Sequence, residues 1–92
     1  PTERLAHLLL HLMDLYGVEE RGGTLIAASF THADLAHMIG VTRQWVTTTL
    51  KRLSEMGVLD THGTNILIKD AAPLAKMRDG KAAKAGLHDE AD

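Results

Sequence analysis

The chain contains no cysteine. That excludes disulfides, iron–sulfur ligation, thiolate zinc sites and a cysteine nucleophile. It also fits a reducing compartment. Long hydrophobic runs are missing too: a stretch such as Leu8 to Leu10 is far too short to span a bilayer. No membrane partner is expected. No signal-like segment opens the sequence, and Pro1 stands first where a Met would be expected, so the chain reads as a piece of something longer. There are no internal repeats. No nucleophile–base pairing and no Gly-rich phosphate loop stands out, so nothing points to an enzyme.

What is present is one domain's worth of ordinary globular composition: 92 residues, 45% hydrophobic and 24% charged. A chain of this size buries roughly 60–65% of its unfolded surface and holds one modest core. Its net charge of −2 argues against nucleic-acid binding by bulk charge alone. The distribution is more informative. Residues 1–30 carry four acids and two bases, whereas residues 31–69 carry four bases (Arg43, Lys51, Arg52, Lys69) against three acids (Asp34, Glu55, Asp60). An anion-binding surface would have to be local, and it would lie in the middle segment.

Apolar spacing predicts a first helix, opening near Thr2 with Leu5, Leu8, Leu9, Leu12 and Tyr16 on one face and stopping at Gly17. Gly22-Gly23 marks a loop, and Thr24 to Ser29 reads as a strand. Thr31 and Asp34 have capping-box spacing, so a short helix starts there, with Leu35, Ala36, Met38 and Ile39 facing inward and Gly40 ending it. Thr42 is a second N-cap candidate. The helix it opens, residues 42–56, ends at Gly57. Two apolar runs around His62-Gly63-Thr64-Asn65 read as a β-hairpin, and Asp70 and Pro73 permit one more short helix to about Arg78. Residues 1–78 form the expected domain. Residues 79–92 have little to bury and read as a disordered tail.

The short helix, Gly turn and longer helix make a helix-turn-helix unit. On a wheel of roughly 100° per residue, Val46, Leu50 and Leu53 share one side of the longer helix, opposite Gln44, Thr48 and Lys51. Arg43 and Thr47 border the polar side. That side carries donors, acceptors and bases, with no carboxylate before Glu55. Phosphates would repel a carboxylate there, and base edges need groups of this kind.

Phe30 to Lys69, together with the opening PTERLAHLLLHL, resembles the C-terminal winged-helix domain of the Crp/Fnr superfamily of bacterial transcription regulators. The most specific parts are Gly40-x-Thr42-Arg43-Gln44-x-Val46, Leu50-x-x-Leu53, Gly57-x-Leu59 and His62-Gly63. The resemblance implies an α+β fold, a winged helix-turn-helix with a three-helix core, a small antiparallel sheet and a hairpin wing. It also implies a cytoplasmic homodimer, dimerised through a region upstream of this chain, that sets two such helices in successive major grooves of a near-palindromic operator and contacts RNA polymerase.

By the same resemblance Arg43 is the base-reading arginine, able to bond guanine bidentately. Gln44 stands where the family usually has glutamate, which shifts the expected partner from cytosine to adenine. Thr48 replaces a frequent arginine, and Thr47 and Lys51 share the exposed side. Thr31 and Thr42 match positions near phosphates, and His62 and Thr64 match wing positions close to the backbone. Trp45 departs from a small polar residue; its indole N–H reaches a phosphate or its ring covers the helix edge. Thr49 departs from an aliphatic core position.

The domain itself implies no cofactor, and the effector of a missing sensor is not named by these residues. Two alternatives stay open: a winged-helix protein-interaction or dimerisation module that does not touch DNA, and a metal-responsive DNA-binding domain. His7 and His11, four apart on one helix, with His32, His37 or a carboxylate as a third ligand, motivate the second.

Overall fold

The computed structural model describes residues 1–80. The expected tail, residues 79–92, lies outside them apart from Asp79 and Gly80. Eight elements follow in order: α1 (Thr2–Tyr16), β1 (Gly17–Glu20), β2 (Gly23–Ile26), α2 (His32–Ile39), α3 (Arg43–Glu55), β3 (Leu59–His62), β4 (Asn65–Ile68) and α4 (Ala72–Arg78). The strands form one antiparallel sheet in the order β1-β2-β4-β3.

Helix α1 buries Leu5, Ala6, Leu9 and Leu12 and packs along α4 through Leu74 and Met77. Leu35 and Ala36 of α2 and Val46, Leu50 and Leu53 of α3 close the same core, with Ile26, Leu59, Ile66 and Ile68 supplied by the sheet. Burial of one such leucine contributes ~2 kcal/mol, and the set is nearly all aliphatic.

Three sequence expectations need correction. Gly17 does end α1, but the segment after it is strand β1. Its GVEE sequence has a single apolar side chain, Val18, and every residue of it is exposed; pairing with β2, not burial, makes it a strand. The second strand is Gly23–Ile26, shorter than Thr24 to Ser29. Tyr16 and Met38 are not core: they are 43% and 52% exposed. Tyr16 instead meets Phe30 ring to ring at 6.2 Å.

Both helices of the helix-turn-helix are capped as their sequences dictate. The Thr31 hydroxyl accepts from Asp34 N–H at 3.0 Å, and Thr31 N–H donates to the Asp34 carboxylate at 2.9 Å, a complete capping box. Gly40 closes α2 in the left-handed conformation (φ 73), and Val41 N–H returns to the Ala36 carbonyl at 3.0 Å. A Cβ would be strained there, and the tight turn to α3 depends on it. The Thr42 hydroxyl accepts from Trp45 N–H at 3.0 Å. At the other end of α3, Gly57 N–H donates to Ser54 O and Val58 N–H to Leu53 O, both at 3.0 Å, the paired bonds of a Schellman motif.

Candidate nucleic-acid interface

The surface of interest begins with α3. Val46, Thr49, Leu50 and Leu53 are buried on one side, and Arg43, Gln44, Thr47, Thr48 and Lys51 are exposed on the other. Among the described residues no carboxylate pairs with Arg43 or Lys51. The guanidinium, the amide and the ammonium are thus presented to solvent, unspent on the fold. Trp45 is half-buried and packed against the core, which makes its ring a cover for the helix edge.

The acids of the middle segment are mostly consumed elsewhere. Asp34 serves the capping box; the Thr31 backbone N–H, then the Thr31 hydroxyl, hold its carboxyl below the ordinary range. Asp60 accepts from the Ser54 hydroxyl at 3.4 Å and faces Lys69 Nζ at 3.7 Å. Glu55 remains, at the far end of α3 from Arg43.

Strand β3, with its hairpin, and the first turn of α2 adjoin α3. The β3–β4 hairpin turns at Gly63-Thr64 with Gly63 at φ 62, a two-residue connection with Gly first. His62, Gly63 and Thr64 are all exposed. Phe30 N–H donates to Thr64 O at 3.1 Å, which ties the hairpin tip to the residue before the α2 cap. The next link was not visible in the sequence. His32, first residue of α2, sets its ring Nδ1 2.7 Å from Thr47 Oγ1 on α3. The only local hint was that His32 follows a cap; a contact between residues 15 apart in the chain is a tertiary one.

Thr31 and Thr42 stand exposed at the two helix caps and Arg43, Gln44, Thr47, Thr48 and Lys51 along α3, with Trp45 half-buried at its edge; Thr64 and His62 are exposed in the hairpin, where His62 lines a separate cleft over the sheet with Glu20, Arg21 and Leu25. Their side chains differ in what is left to offer. Thr31 and Thr42 use their oxygens as cap acceptors, so each hydroxyl keeps its proton to donate. Thr47, expected as a free reader, is engaged: its hydroxyl donates to Arg43 O at 3.1 Å and lies against His32. No group of three or more metal-ligating side chains converges among the described residues.

A hairpin, a capped short helix, a Gly turn and a longer helix with one bare polar side define a winged helix-turn-helix domain. The Crp-like helix-turn-helix family model matches residues 3–77, and the chain belongs to that family, whose members serve as the DNA-binding domains of transcription regulators.

Among relatives, the CRP-like cAMP-activated global transcriptional regulator of Mycobacterium tuberculosis is 29% identical over 73 residues, covering 79% of this chain and 33% of the relative. The fold is similar to that of CooA, the CO-dependent transcription factor from Carboxydothermus hydrogenoformans, with a TM-score of 0.79 and 27% identity over 84% of this chain and 36% of that one. It is also similar to a CRP/FNR-family transcriptional regulator from Thermus thermophilus, with a TM-score of 0.74 and 26% identity over 85% and 40% of the two chains. The chain spans about a third of the length of the curated relatives it matches. No helix among the described residues is long and apolar enough to cross a membrane.

Proposed function

We propose that this domain binds double-stranded DNA in a sequence-specific way by placing α3 in the major groove, as the output end of a bacterial regulator. The observation that carries the reading is the bare stripe on α3: Arg43, Gln44, Thr48 and Lys51 exposed, unpaired with any acid among the described residues, on a helix whose other side grips the core. Arg43 reads guanine and Gln44 adenine, Thr48 offers its methyl to thymine, and Lys51 meets a phosphate. Thr31 and Thr42 donate to phosphates at two helix N-termini, where the backbone dipole favours an anion. His62 and Thr64 follow the backbone from the hairpin.

The relatives are named for different effectors, cAMP in one and CO in another. The reading therefore assigns effector sensing and the dimer contact to the parts of such a regulator that this chain does not cover, and no cofactor to residues 1–80. A homodimer on a near-palindromic operator, a contact with RNA polymerase and a cytoplasmic location belong to the same reading.

The test is selection of bound duplexes from a random pool, followed by titration of Arg43→Ala. The substitution is expected to cost about 1–3 kcal/mol per half-site and to relax base preference at one position. Lys51→Ala should weaken all sequences alike and flatten the dependence of affinity on salt. Equal loss on all sequences for Arg43→Ala would demote it to a phosphate contact. Duplex binding that is absent or indifferent to salt would favour a protein-interaction module instead.

A further inference from the structure

We propose that His32 is a further residue of the interface, a positioning residue that clamps Thr47 of α3 and links duplex affinity to pH. The proposal rests on reading α3 as the DNA-contacting helix.

One proton decides how the contact is made. Thr47 has a single hydroxyl hydrogen, which it gives to Arg43 O at 3.1 Å. Its oxygen also lies 2.7 Å from His32 Nδ1. Both contacts are satisfied at once only if Nδ1 carries a hydrogen and donates to Thr47. The ring is then held with Nδ1–H engaged. Its Nε2 is a bare acceptor in the neutral form and a second N–H donor in the imidazolium form. Protonation therefore adds a donor and a full charge without disturbing the clamp.

The surroundings permit this. The cleft around the ring is lined from α3 by Lys51 and Glu55, one base and one acid, and from β3 by the uncharged Thr61. On its own helix the nearest charges are Asp34, engaged by Thr31, and His37. The ring is half-exposed, next to Thr31 and against the bare stripe. Phosphates drawn to that surface favour the imidazolium, so a proton is taken up on binding and affinity rises as pH falls. Position also matters: His32 Nδ1 ties the first turn of α2 to the first half of α3, fixing the angle at which Arg43 and Gln44 are offered.

The experiment measures binding of the 92-residue chain, at low salt, to a labelled duplex recovered by selection with that chain, at pH 8 and pH 6. The wild type is expected to bind about fivefold tighter at pH 6. His32→Ala should bind more weakly at both pH values. In His32→Gln an amide N–H can still donate to Thr47, so part of the affinity lost in the alanine variant at pH 8 should return, but not the gain at pH 6. His62→Gln, on the hairpin, and His37→Gln, on α2, separate the exposed imidazoles of the same two elements. Ring ¹⁵N shifts of the free chain at high pH should report hydrogen on Nδ1. The proposal is overturned if wild type and His32→Gln share one pH dependence, or if Nδ1 is bare. If no variant binds any duplex at either pH, the DNA reading fails, and the proposal with it.

Discussion

The two hairpins of the sheet are built alike and charged differently. Each joins antiparallel strands through two residues, Arg21-Gly22 between β1 and β2 and Gly63-Thr64 between β3 and β4. Strand register puts the turns at opposite ends of the sheet: Thr24 pairs with Ile68, and Ile26 with Ile66. The first hairpin exposes Glu19 and Glu20 beside Arg21. The second exposes His62 and Thr64, and its tip is bonded through Thr64 O to the residue before the α2 cap. Hairpin geometry is thus neutral about function. The side chains decide which end can face a polyanion, and the backbone link between Phe30 and Thr64 decides which end belongs to the helix-turn-helix.

The largest effect that would test the contrast comes from glycine substitutions. A Cβ at Gly23 would sit 2.1 Å from Ile68 O, in the backbone of the neighbouring strand. Gly23→Ala therefore cannot be relieved by a rotamer change and should cost at least ~3 kcal/mol in urea or thermal unfolding, a large part of what a domain this size has. A Cβ at Gly63 meets nothing within 4 Å. Gly63→Ala should cost only the ~1–2 kcal/mol of placing an L-residue at positive φ. Equal losses would mean that both hairpins carry the fold equally.

Charge changes sharpen the comparison further. On the proposed reading Thr64→Glu should weaken binding to every duplex by about tenfold at low salt, because a carboxylate at that tip would face phosphates. Glu20→Gln removes a charge from the opposite end and should shift duplex affinity by less than about twofold. If the second change tightens binding as strongly as the first weakens it, net charge governs binding and the position of the hairpin does not.

Much of this was legible beforehand because the signals were local. Thr31, Asp34 and Thr42 are short polar residues at the right spacing, and Gly40, Gly57 and Gly63 take the positive φ that the turns need. The α3 wheel separated buried Val46, Leu50 and Leu53 from the exposed stripe because helical period is a property of sequence.

What stayed hidden depends on neighbours. Strand β1 exists because β2 lies beside it. Met38 is exposed although it shares a face with Leu35, because a wheel identifies a face without saying how much of it a neighbour covers. Thr47 reads as a free hydroxyl on the wheel, yet tertiary contact with His32 uses it. Thr49, polar in sequence, is 6% exposed, since burial follows its place on the inner side of α3.

The smallest effect concerns the acid in the α2 cap, Asp34. Asp34 differs from Glu19 and Glu20 in being consumed by a cap, and the bonds from Thr31 lower its carboxyl below the ordinary value of 3.8. A carboxyl lowered on folding contributes stability that is fully present above its unfolded value and is lost as pH falls through the folded one. In Asp34→Asn the amide oxygen can still accept from Thr31 N–H, so the substitution removes charge while keeping a cap acceptor. The variant should be modestly less stable than wild type at pH 7, with the two unfolding curves drawing together as the solution is acidified below about pH 4. Curves that run parallel down to pH 2 would show that the charge on Asp34 adds nothing to the cap. The repulsion between that carboxylate and an approaching phosphate would then have no compensating gain in the fold.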